Sequence, residues 1–378
     1  MRVRTERRVA LVLLAVAPTL AACGVLLEVS GDPAPTPELL DGGPDEGAVG
    51  LREGGSLDRD ATGGDAGTDA CAMAAACSPE RLATLSGRVL RLVAAGTSLY
   101  AAHIAGSGPR VVSLASGGPG PAVDLDPQAA VPDLFRGDSN LAVDGSGAVY
   151  WGTPNGLRRR EPAAGADAST GAGITELSAL GAPVSGVRIA DGRLHFTVNG
   201  PSSVAAPNVG HLASCALPGC TDVQIAAYAP YPLDVIAVGA SRWWFGTDTL
   251  GANLALRKPG AQLSGEQLSP SRMATDGQRI YWSTVDGLRM FTIATSTLTE
   301  LIAAATTLGT RINGVAVDAA GSLYVTQQSS VLRCVMVAGQ CTFTTLAITA
   351  GTAVDIAVDA THIYWGTTDG SIWRLRKP

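Results

Sequence analysis

The segment that decides the fold of this 378-residue chain reads His362-Ile363-Tyr364-Trp365-Gly366-Thr367, and six similar segments precede it. The other six occupy residues 98–101, 148–153, 193–197, 242–247, 279–284 and 322–326. Their central positions (100, 150, 195, 244, 281, 324 and 364) recur every 44 residues on average. A period of about 40 to 45 residues made of strands and turns is typical of β-propellers. We therefore expect an all-β chain that contains a seven-bladed β-propeller.

Each repeat also predicts its own strand order. A short apolar run that ends in Asp precedes the aromatic segment in five repeats, as in Ile356-Ala357-Val358-Asp359, and its small residues suit an innermost strand. The aromatic segment is then the second strand, 370–375 is an example of the third and 342–346 of the fourth. The aromatic stripe predicts packing between blades, with an aromatic ligand cage as the alternative.

The two ends of the propeller are expected to meet. The chain stops after a third strand, at 373–377, which leaves the last blade without its outer strand. Residues 81–85 precede the first inner strand and could supply the missing one. This pairing would remove an open sheet edge, which otherwise invites aggregation.

Composition excludes several classes of protein. Charged residues make up 16% of the chain and apolar residues 46%, which argues against a coiled coil and against disorder throughout. The 46 Gly and 22 Pro indicate many turns. Residues 24–80 carry a net charge of -10, residues 1–23 carry +3, and the remaining body is almost neutral at +1, which gives the total of -6. A neutral body gives no reason to expect nucleic acid as a partner.

The amino terminus has the layout of a secretory signal. Residues 1–8 are cationic, and the apolar run 9–20 is shorter than the roughly 20 residues that cross a membrane. The run ends in Leu20-Ala21-Ala22-Cys23-Gly24, which resembles the bacterial lipobox. That resemblance implies cleavage before Cys23 and lipidation of its thiol. An ordinary cleaved signal with an unrelated cysteine is the alternative.

This layout divides the chain into a lipoprotein signal peptide (1–22), an acidic disordered linker that begins at the lipidated Cys23 (23–80), and the propeller (81–378). The linker contains no aromatic residue after residue 24 and cannot bury enough apolar surface to order itself. We expect the protein to be lipid-anchored in a bacterial cell envelope, in the periplasm or at the surface.

The remaining six cysteines form three close pairs along the sequence: Cys71 with Cys77, Cys215 with Cys220, and Cys334 with Cys341. An even number of paired cysteines predicts disulfide bonds and an oxidising compartment. A zinc site shared by four of these cysteines is the alternative.

Residues 81–378 resemble secreted bacterial seven-bladed propellers of the broad Tyr-Trp-Thr-Asp and NHL-like group. The resemblance rests on the aromatic segments and implies the architecture. The last residue of the usual motif, Asp, is Thr or absent here. Under this architecture, the two cysteine pairs of the body would lie in hairpins between the third and fourth strands of blades three and six.

The sequence lacks three common motifs of catalytic sites. The chain has no Gly-Lys-Ser phosphate loop, no Gly-x-Ser-x-Gly elbow and no His-x-x-x-His pair. We expect no metal site and no cofactor. His195 occupies an aromatic core position and is expected to be structural, and Arg158-Arg159-Arg160 is expected to be a solvated rim. The recurrent aspartates are expected to cap turns, with a calcium ladder as the alternative; they are Asp144, Asp191, Asp276, Asp318 and Asp359.

The functional face is placed by analogy with other propellers, on the loops between the second and third strands and between blades. Its candidate residues are Asp138, Asn155, Asn199, Tyr228, Tyr231, Asp248, Asp286, Arg311, Asn313 and Asp369. A mixed polar and aromatic surface suits a protein or glycan partner.

We therefore expect a monomeric, non-enzymatic binding or scaffold protein that is attached to the membrane by its lipid. A metal-dependent lactonase-like enzyme or a lyase-type propeller enzyme is the first alternative. A purely structural envelope component is the second.

Overall fold

The protein is an all-β, seven-bladed β-propeller, as the repeat predicts. The computed structural model describes residues 78–378 except 107, 127–139, 162–172, 180–181, 201–208, 231, 247–254, 260, 264–271, 285–286, 303–310 and 338–339. The predicted signal peptide, the predicted lipidation site Cys23, nearly all of the linker and the Cys71–Cys77 pair lie outside the described residues.

Seven four-stranded antiparallel sheets form the blades, and each adds its strands outward from the central channel. The first strands are β2 (Val89–Ala95), β6 (Leu141–Val143), β10 (Val184–Ala190), β14 (Pro232–Val238), β18 (Arg272–Thr275), β22 (Ile312–Val317) and β26 (Ala353–Val358). The second strands are β3 (Ser98–Ala105), β7 (Val149–Thr153), β11 (Arg193–Val198), β15 (Ser241–Gly246), β19 (Arg279–Thr284), β23 (Leu323–Gln327) and β27 (His362–Thr367).

The outer half of each blade follows the same order. The third strands are β4 (Gly108–Ala115), β8 (Gly156–Arg160), β12 (Val209–Ala216), β16 (Ala255–Lys258), β20 (Gly287–Thr292), β24 (Ser330–Val337) and β28 (Ser371–Arg376). The fourth strands are β5 (Val123–Asp124), β9 (Ile174–Ala179), β13 (Gln224–Pro230), β17 (Ala261–Gln262), β21 (Thr297–Ile302) and β25 (Gln340–Ile348), and β1 (Glu80–Thr84) serves the last blade.

The aromatic residues of the second strands form the core between blades, as expected. Trp151, Trp282 and Trp365 are fully buried. The rings of Phe245 in blade four and Trp282 in blade five are 5.8 Å apart between centroids and meet edge to face. Each such side chain removes a large apolar area from water, so this packing is a main source of the stability of the ring.

The small and hydroxyl residues of the repeat also have structural roles. Gly366 lies where the second strand of blade seven meets the first strand of blade one, and a Cβ there would come within 2.4 Å of Val89 Cγ1. The hydroxyl oxygen of the next residue, Thr367, lies 3.0 Å from the carbonyl oxygen of Ser371 across the hairpin and also contacts the carboxylate of Asp369. The Gly-Thr ending therefore allows two blades to approach and fixes the hairpin that follows.

An Asp–Tyr turn bridge recurs in four blades, where the aspartate at the end of the first strand binds both the turn and the second strand. In blade seven, Asp359 Oδ1 accepts hydrogen bonds from the amides of Thr361 and His362, each at 2.7 Å, and Oδ2 accepts one from the Tyr364 hydroxyl at 2.6 Å. The same bridge joins Asp144 to Tyr150, Asp276 to Tyr281 and Asp318 to Tyr324. The prediction that these aspartates cap turns is confirmed for these four.

The turn bridge changes the pKa values of both partners. Burial alone would raise the pKa of Asp359, but the hydrogen bonds from Tyr364 and from the turn amides lower it overall. Burial and the hydrogen bond to Asp144 raise the pKa of Tyr150 to about 12. The charged aspartate and the neutral tyrosine are therefore the stable pair at neutral pH.

Ring closure occurs as the sequence predicts. Strand β1 pairs antiparallel with β28 and gives the last blade its outer strand, so amino-terminal and carboxy-terminal segments share one sheet. Glu80 Oε2 accepts a hydrogen bond from Arg374 Nε at 2.8 Å. Leu82 and Leu85 are buried in the core shared by blades seven and one.

Two of the three predicted cysteine pairs lie within the described residues, and both are disulfide-bonded. Cys215 and Cys220 join the third strand of blade three to its next turn, and Cys334 and Cys341 join β24 to β25 in blade six. The prediction of their hairpins is therefore confirmed. Local disulfides of this kind indicate an oxidising, non-cytoplasmic compartment.

Removing β1 is expected to destabilise the whole ring. A chain that starts at residue 86 loses the buried Leu82 and Leu85 and leaves β28 as an open edge, whereas a chain that starts at residue 78 keeps both. Loss of one buried leucine costs about 2–5 kcal/mol. Chemical denaturation should therefore show a large loss of stability, with aggregation, only for the shorter chain. Equal stability of the two chains would contradict the role of β1.

The turn bridge is expected to contribute about 1 kcal/mol in blade seven, the usual net value of a hydrogen bond. Asp359→Asn and Tyr364→Phe should each lower the free energy of unfolding, and the double variant should lose less than the two losses added together. The contribution of Asp359 is present above the unfolded pKa of 3.8 and is lost as pH falls through the lower folded value. Asp359→Asn should therefore lose less stability than the parent as the pH falls below about 3.8.

The matched control for this cycle is Asp191→Asn, because the tyrosine position of blade three is His195. Strictly additive losses for Asp359 and Tyr364 in chemical denaturation would show that the bridge does not couple the turn to the second strand.

Candidate functional site

The ring has two ends with different loops. The connections from second to third strands and from one blade to the next lie at one end, which we call the loop face. The turns from first to second strands and the hairpins from third to fourth strands lie at the other end, the turn face. The described residues of the predicted functional face, Asn155, Asn199, Arg311, Asn313 and Asp369, all lie at the loop face.

Three of these five side chains are exposed, namely Asn155, Arg311 and Asp369. Asn199 is buried and donates its Nδ2 to Ser185 Oγ at 2.9 Å. Asn313 donates its Nδ2 to the carbonyl oxygen of Ala353 at 2.8 Å. These two amides therefore fasten neighbouring segments at the start of the inner strands.

The other predicted face residues are not described. Asp138, Tyr231, Asp248 and Asp286 lie outside the described residues, and of Tyr228 only the backbone is described, in β13.

A cluster of five charged side chains in the channel is a feature that sequence reasoning missed. We call it the channel cluster; its members are Arg91, Arg188, Asp234, Arg272 and Asp355. They come from the first strands of blades one, three, four, five and seven. The sequence had suggested that the innermost strands consist of small apolar residues. The channel cluster shows that these strands also carry charged residues.

One side of the channel cluster is organised by Asp355, whose side chain has no exposed area. Its Oδ1 accepts a hydrogen bond from Arg272 Nε at 3.0 Å and lies 3.6 Å from Arg91 Nη1. Its Oδ2 accepts a hydrogen bond from the amide of Leu92 at 2.7 Å. Arg272 also donates to the carbonyl oxygen of Leu90. These bonds tie blades one, five and seven together.

The other side is organised by Asp234. Its Oδ2 accepts a hydrogen bond from Arg188 Nη2 at 3.1 Å, and its Oδ1 accepts one from the amide of Val235 at 2.8 Å. Arg188 also approaches the carbonyl oxygen of Met273 at 3.4 Å. These contacts join blades three, four and five.

β-Bulges lie next to three of the five charged residues. The register of the first strand shifts just before Arg91 in β2, Asp234 in β14 and Asp355 in β26. A bulge turns a side chain away from its regular direction and is common beside functional sites. Gly186 of blade three leaves room for this arrangement, because a Cβ there would lie 3.0 Å from Asp234 Cα.

The sequence carries a weak signal for this cluster. Each of the four members outside β18 is a charged residue within a short run of small apolar residues, as in Ala353-Val354-Asp355-Ile356-Ala357. A charge in the middle of an otherwise apolar inner strand is costly unless it is paired. The cost of burying an unpaired charge could have identified these four positions in the sequence. The sequence does not show which of the charged residues pair with each other.

The surroundings of Arg91 in the channel cluster disfavour its positive charge. Burial, then repulsion from Arg188, lower its pKa to about 9, and attraction to Asp355 offsets part of the effect. Its Nε is buried and has no hydrogen-bond partner among the described residues. Among the described residues of the channel cluster, three guanidinium groups face two carboxylates.

The surroundings of His195 are structural. His195 is buried, as predicted, and its Nδ1 accepts a hydrogen bond from Arg242 Nε at 3.3 Å. Burial, followed by repulsion from Arg242, lowers the pKa of His195 to about 4. This ring is therefore neutral at physiological pH. In the part of the chain that the structure describes, no group of three or more His, Cys, Asp or Glu residues could hold a metal ion.

The three consecutive arginines of β8 differ from the solvated rim that was expected. Arg160 is buried and donates to the carbonyl oxygen of Leu125. Arg158 pairs with Asp126 at 3.0 Å and with Glu176 at 2.9 Å. Arg159 donates to the Tyr150 hydroxyl at 3.0 Å. Tertiary contacts with the neighbouring loop and strands therefore bury Arg160 and partly cover Arg158 and Arg159.

Comparisons with known proteins identify the fold of this chain but no family to which it belongs. No protein-family profile and no curated protein match this chain. Among solved structures, it is similar to the WD40 β-propeller domain of Doa1, with 11% identity and a TM-score of 0.56 over 80% of this chain and 98% of that one. It is also similar to virginiamycin B lyase from Staphylococcus aureus, with 14% identity and a TM-score of 0.55 over 80% and 99%.

A third similar structure is the extracellular domain of BT4673, a putative hybrid two-component system of B. thetaiotaomicron. Its identity is 12% and its TM-score 0.51, over 80% of this chain and 40% of that one. Identities this low show the propeller fold alone. In the residues with described structure, no helix is long and apolar enough to cross a membrane.

Removing the charge of Asp355 is expected to destabilise the propeller strongly. Asp355→Asn leaves Arg91 and Arg272 without their common carboxylate, and breaking a buried ion pair costs about 3–5 kcal/mol. The control is Asp124→Asn, the same chemical change at a side chain that is 41% exposed and 3.9 Å from Arg110, where a loss below about 1 kcal/mol is expected. Equal losses in urea denaturation would show that the channel cluster does not hold the ring together.

Proposed function

We propose that this chain is a non-enzymatic binding protein of a bacterial cell envelope, anchored through a lipid on Cys23. Its propeller presents the loop face to a protein or glycan partner, and the acidic linker 24–80 separates that face from the membrane. The oxidising compartment that the two disulfides indicate agrees with this location.

The proposal rests on the position of the predicted face residues at one end of the ring. Asn155, Arg311 and Asp369 come from blades two, six and seven, yet all three are exposed at one end of the ring. They offer an amide, a guanidinium and a carboxylate, which together suit a polar partner surface. The hydroxyl of Thr367 and then the amide of Ser371 lower the pKa of Asp369 by hydrogen bonding, so this carboxylate is charged at neutral pH.

A rigid support under the loops favours binding. The buried amide of Asn199 and the contact from Asn313 to Ala353 fix loop-face segments to the inner strands, and the channel cluster lies just beneath. Preorganised loops lose less conformational entropy when a partner binds.

The lactonase-like or lyase-type alternative has its own test. Virginiamycin B lyase resembles this chain at 14% identity, which supports the shared fold and transfers no residue. If the chain is a metal-dependent enzyme, a chelator that removes the metal ion should lower its melting temperature. If the chain is a binding protein without a metal, the chelator should change neither its melting temperature nor its binding to the partner.

Site-specific photocrosslinking in the native envelope tests the proposal. A photoreactive amino acid is placed at Asn155, Arg311 or Asp369 on the loop face, and at Gln278, an exposed residue of the turn face, as the matched control. The loop-face positions should capture the same discrete partner and Gln278 should not. Asn155→Arg should then reduce capture from position 369 about tenfold, while Gln278→Arg leaves it unchanged.

Equal capture from both faces, or none from either, would contradict the binding face. The anchor is tested separately: Cys23→Ala should move the chain from the membrane fraction to the soluble fraction. Retention of this variant in the membrane would contradict lipidation of Cys23 without bearing on the face.

A further inference from the structure

The outer edge of blade six is a strand edge without a described neighbour. Strand β25 (Gln340–Ile348) is the fourth strand of this blade, and none of the described strands pairs with its outer side. The main-chain N–H and C=O groups on that side are therefore open to another strand. An edge of this kind pairs readily with another polypeptide unless the protein protects it.

The other six outer strands are protected and β25 is not. Short strands, bulges, charged residues and prolines are the usual protective devices. No other outer strand keeps a regular register with its neighbour for more than four described residues. In β25 the register is unbroken over six residues, from Gln340 to Thr345. Five of the other strands also contain a charged residue or a proline: Asp124 in β5, Glu176 in β9, Pro230 in β13, Glu300 in β21, and Glu80 with Arg81 in β1.

The surface along this edge is uncharged. Strand β25 contains no charged residue and no proline. Thr342 and Thr344 are exposed and, being two residues apart, lie on the same side of the sheet. Val335 faces Thr342 from the neighbouring strand β24 and is 43% exposed. Phe343 lies on the opposite side and packs against the core of blades five and six. No side chain of β25 therefore opposes a second strand by its charge.

The edge is also held in place before any strand is added. The disulfide between Cys334 and Cys341 joins β24 to β25, and Phe343 fixes the strand to the core. An ordered strand loses less conformational entropy on pairing than a loose one.

We propose that two copies of this chain associate by antiparallel pairing of their β25 strands about a two-fold axis at Phe343. In this register Thr342 of one copy lies opposite Thr344 of the second copy, and the symmetry repeats this pair. Opposed threonines are a favourable cross-strand pair, whereas like charges directly opposite each other are destabilising. Because β25 carries no charge, an identical strand meets no repulsion on this edge.

The interface lies on the rim of the ring and joins two blades into one eight-stranded sheet. It uses no residue of the loop face, so it does not depend on the partner proposed for that face. Such a dimer replaces the monomer expected from the sequence.

Sedimentation equilibrium of the full chain tests the association. The parent for this test carries Cys23→Ala, which removes the predicted lipid and the thiol outside the three cysteine pairs. It should form a dimer as its concentration rises, and Thr344→Lys should weaken the association at least tenfold. The matched control is Thr297→Lys, the same change at an exposed threonine of the outer strand of blade five, and it should associate like the parent.

The melting temperatures of dilute samples show whether these lysines act on folding. All three chains should melt alike, because both substituted side chains are exposed. A parent that stays monomeric at every concentration would overturn the proposal. Association of the Thr344→Lys chain that is as strong as that of the parent would do the same.

A charge-pair experiment tests the register. Thr342→Glu alone should weaken the association, as Thr344→Lys does. An equimolar mixture of the two variants should associate several-fold more tightly than either variant alone, because the carboxylate of one copy then faces the ammonium group of the other. A mixture that associates no better than the single variants would show that the two strands do not pair in this way.

Hydrogen exchange identifies the occupant of the edge. The amides of β25 should gain protection as the concentration of the pure chain rises. A dimer that leaves these amides unprotected would place the interface elsewhere and overturn the proposal. Protection that arises only after an envelope extract is added would show that the edge takes another polypeptide instead of a second copy.

Discussion

Closure of the ring is the constraint on which the rest of this structure depends. Strand β1 comes from the beginning of the propeller and β28 from its end, and their pairing turns seven similar sheets into one cooperative body. Without it, blades one and seven would each expose apolar surface that now lies between them, where Leu82 and Leu85 are buried. Every contact across the channel presupposes this closure, since the channel exists only in a closed ring.

The channel cluster shows what closure makes possible and what it costs. Five charged side chains from five blades meet there, and their hydrogen bonds fix the relative positions of the blades. Buried ion pairs are seldom the most stabilising choice for a core, because desolvation offsets much of the attraction. The same pairs become costly to break once they are formed, so they hold the inner strands in one arrangement.

The loop face offers exposed polar groups on supported loops and suits a large partner. The channel cluster lies beneath this face and joins the inner strands that carry its loops. The support of the proposed binding surface therefore comes from contacts between blades.

The sequence by itself determined the number of blades, the strand order, the closing strand, the positions of two disulfides and the turn role of four aspartates. These features are local or periodic, so the spacing of Tyr364, Asp359 and their equivalents is enough to predict them. It did not reveal that Asp359 binds Tyr364, although both residues stood in the repeat. The channel cluster was decided only by the tertiary structure. Asp355 and the amide of Leu92 are 263 residues apart in the chain, and only a closed ring with bulged inner strands brings them within hydrogen-bonding distance.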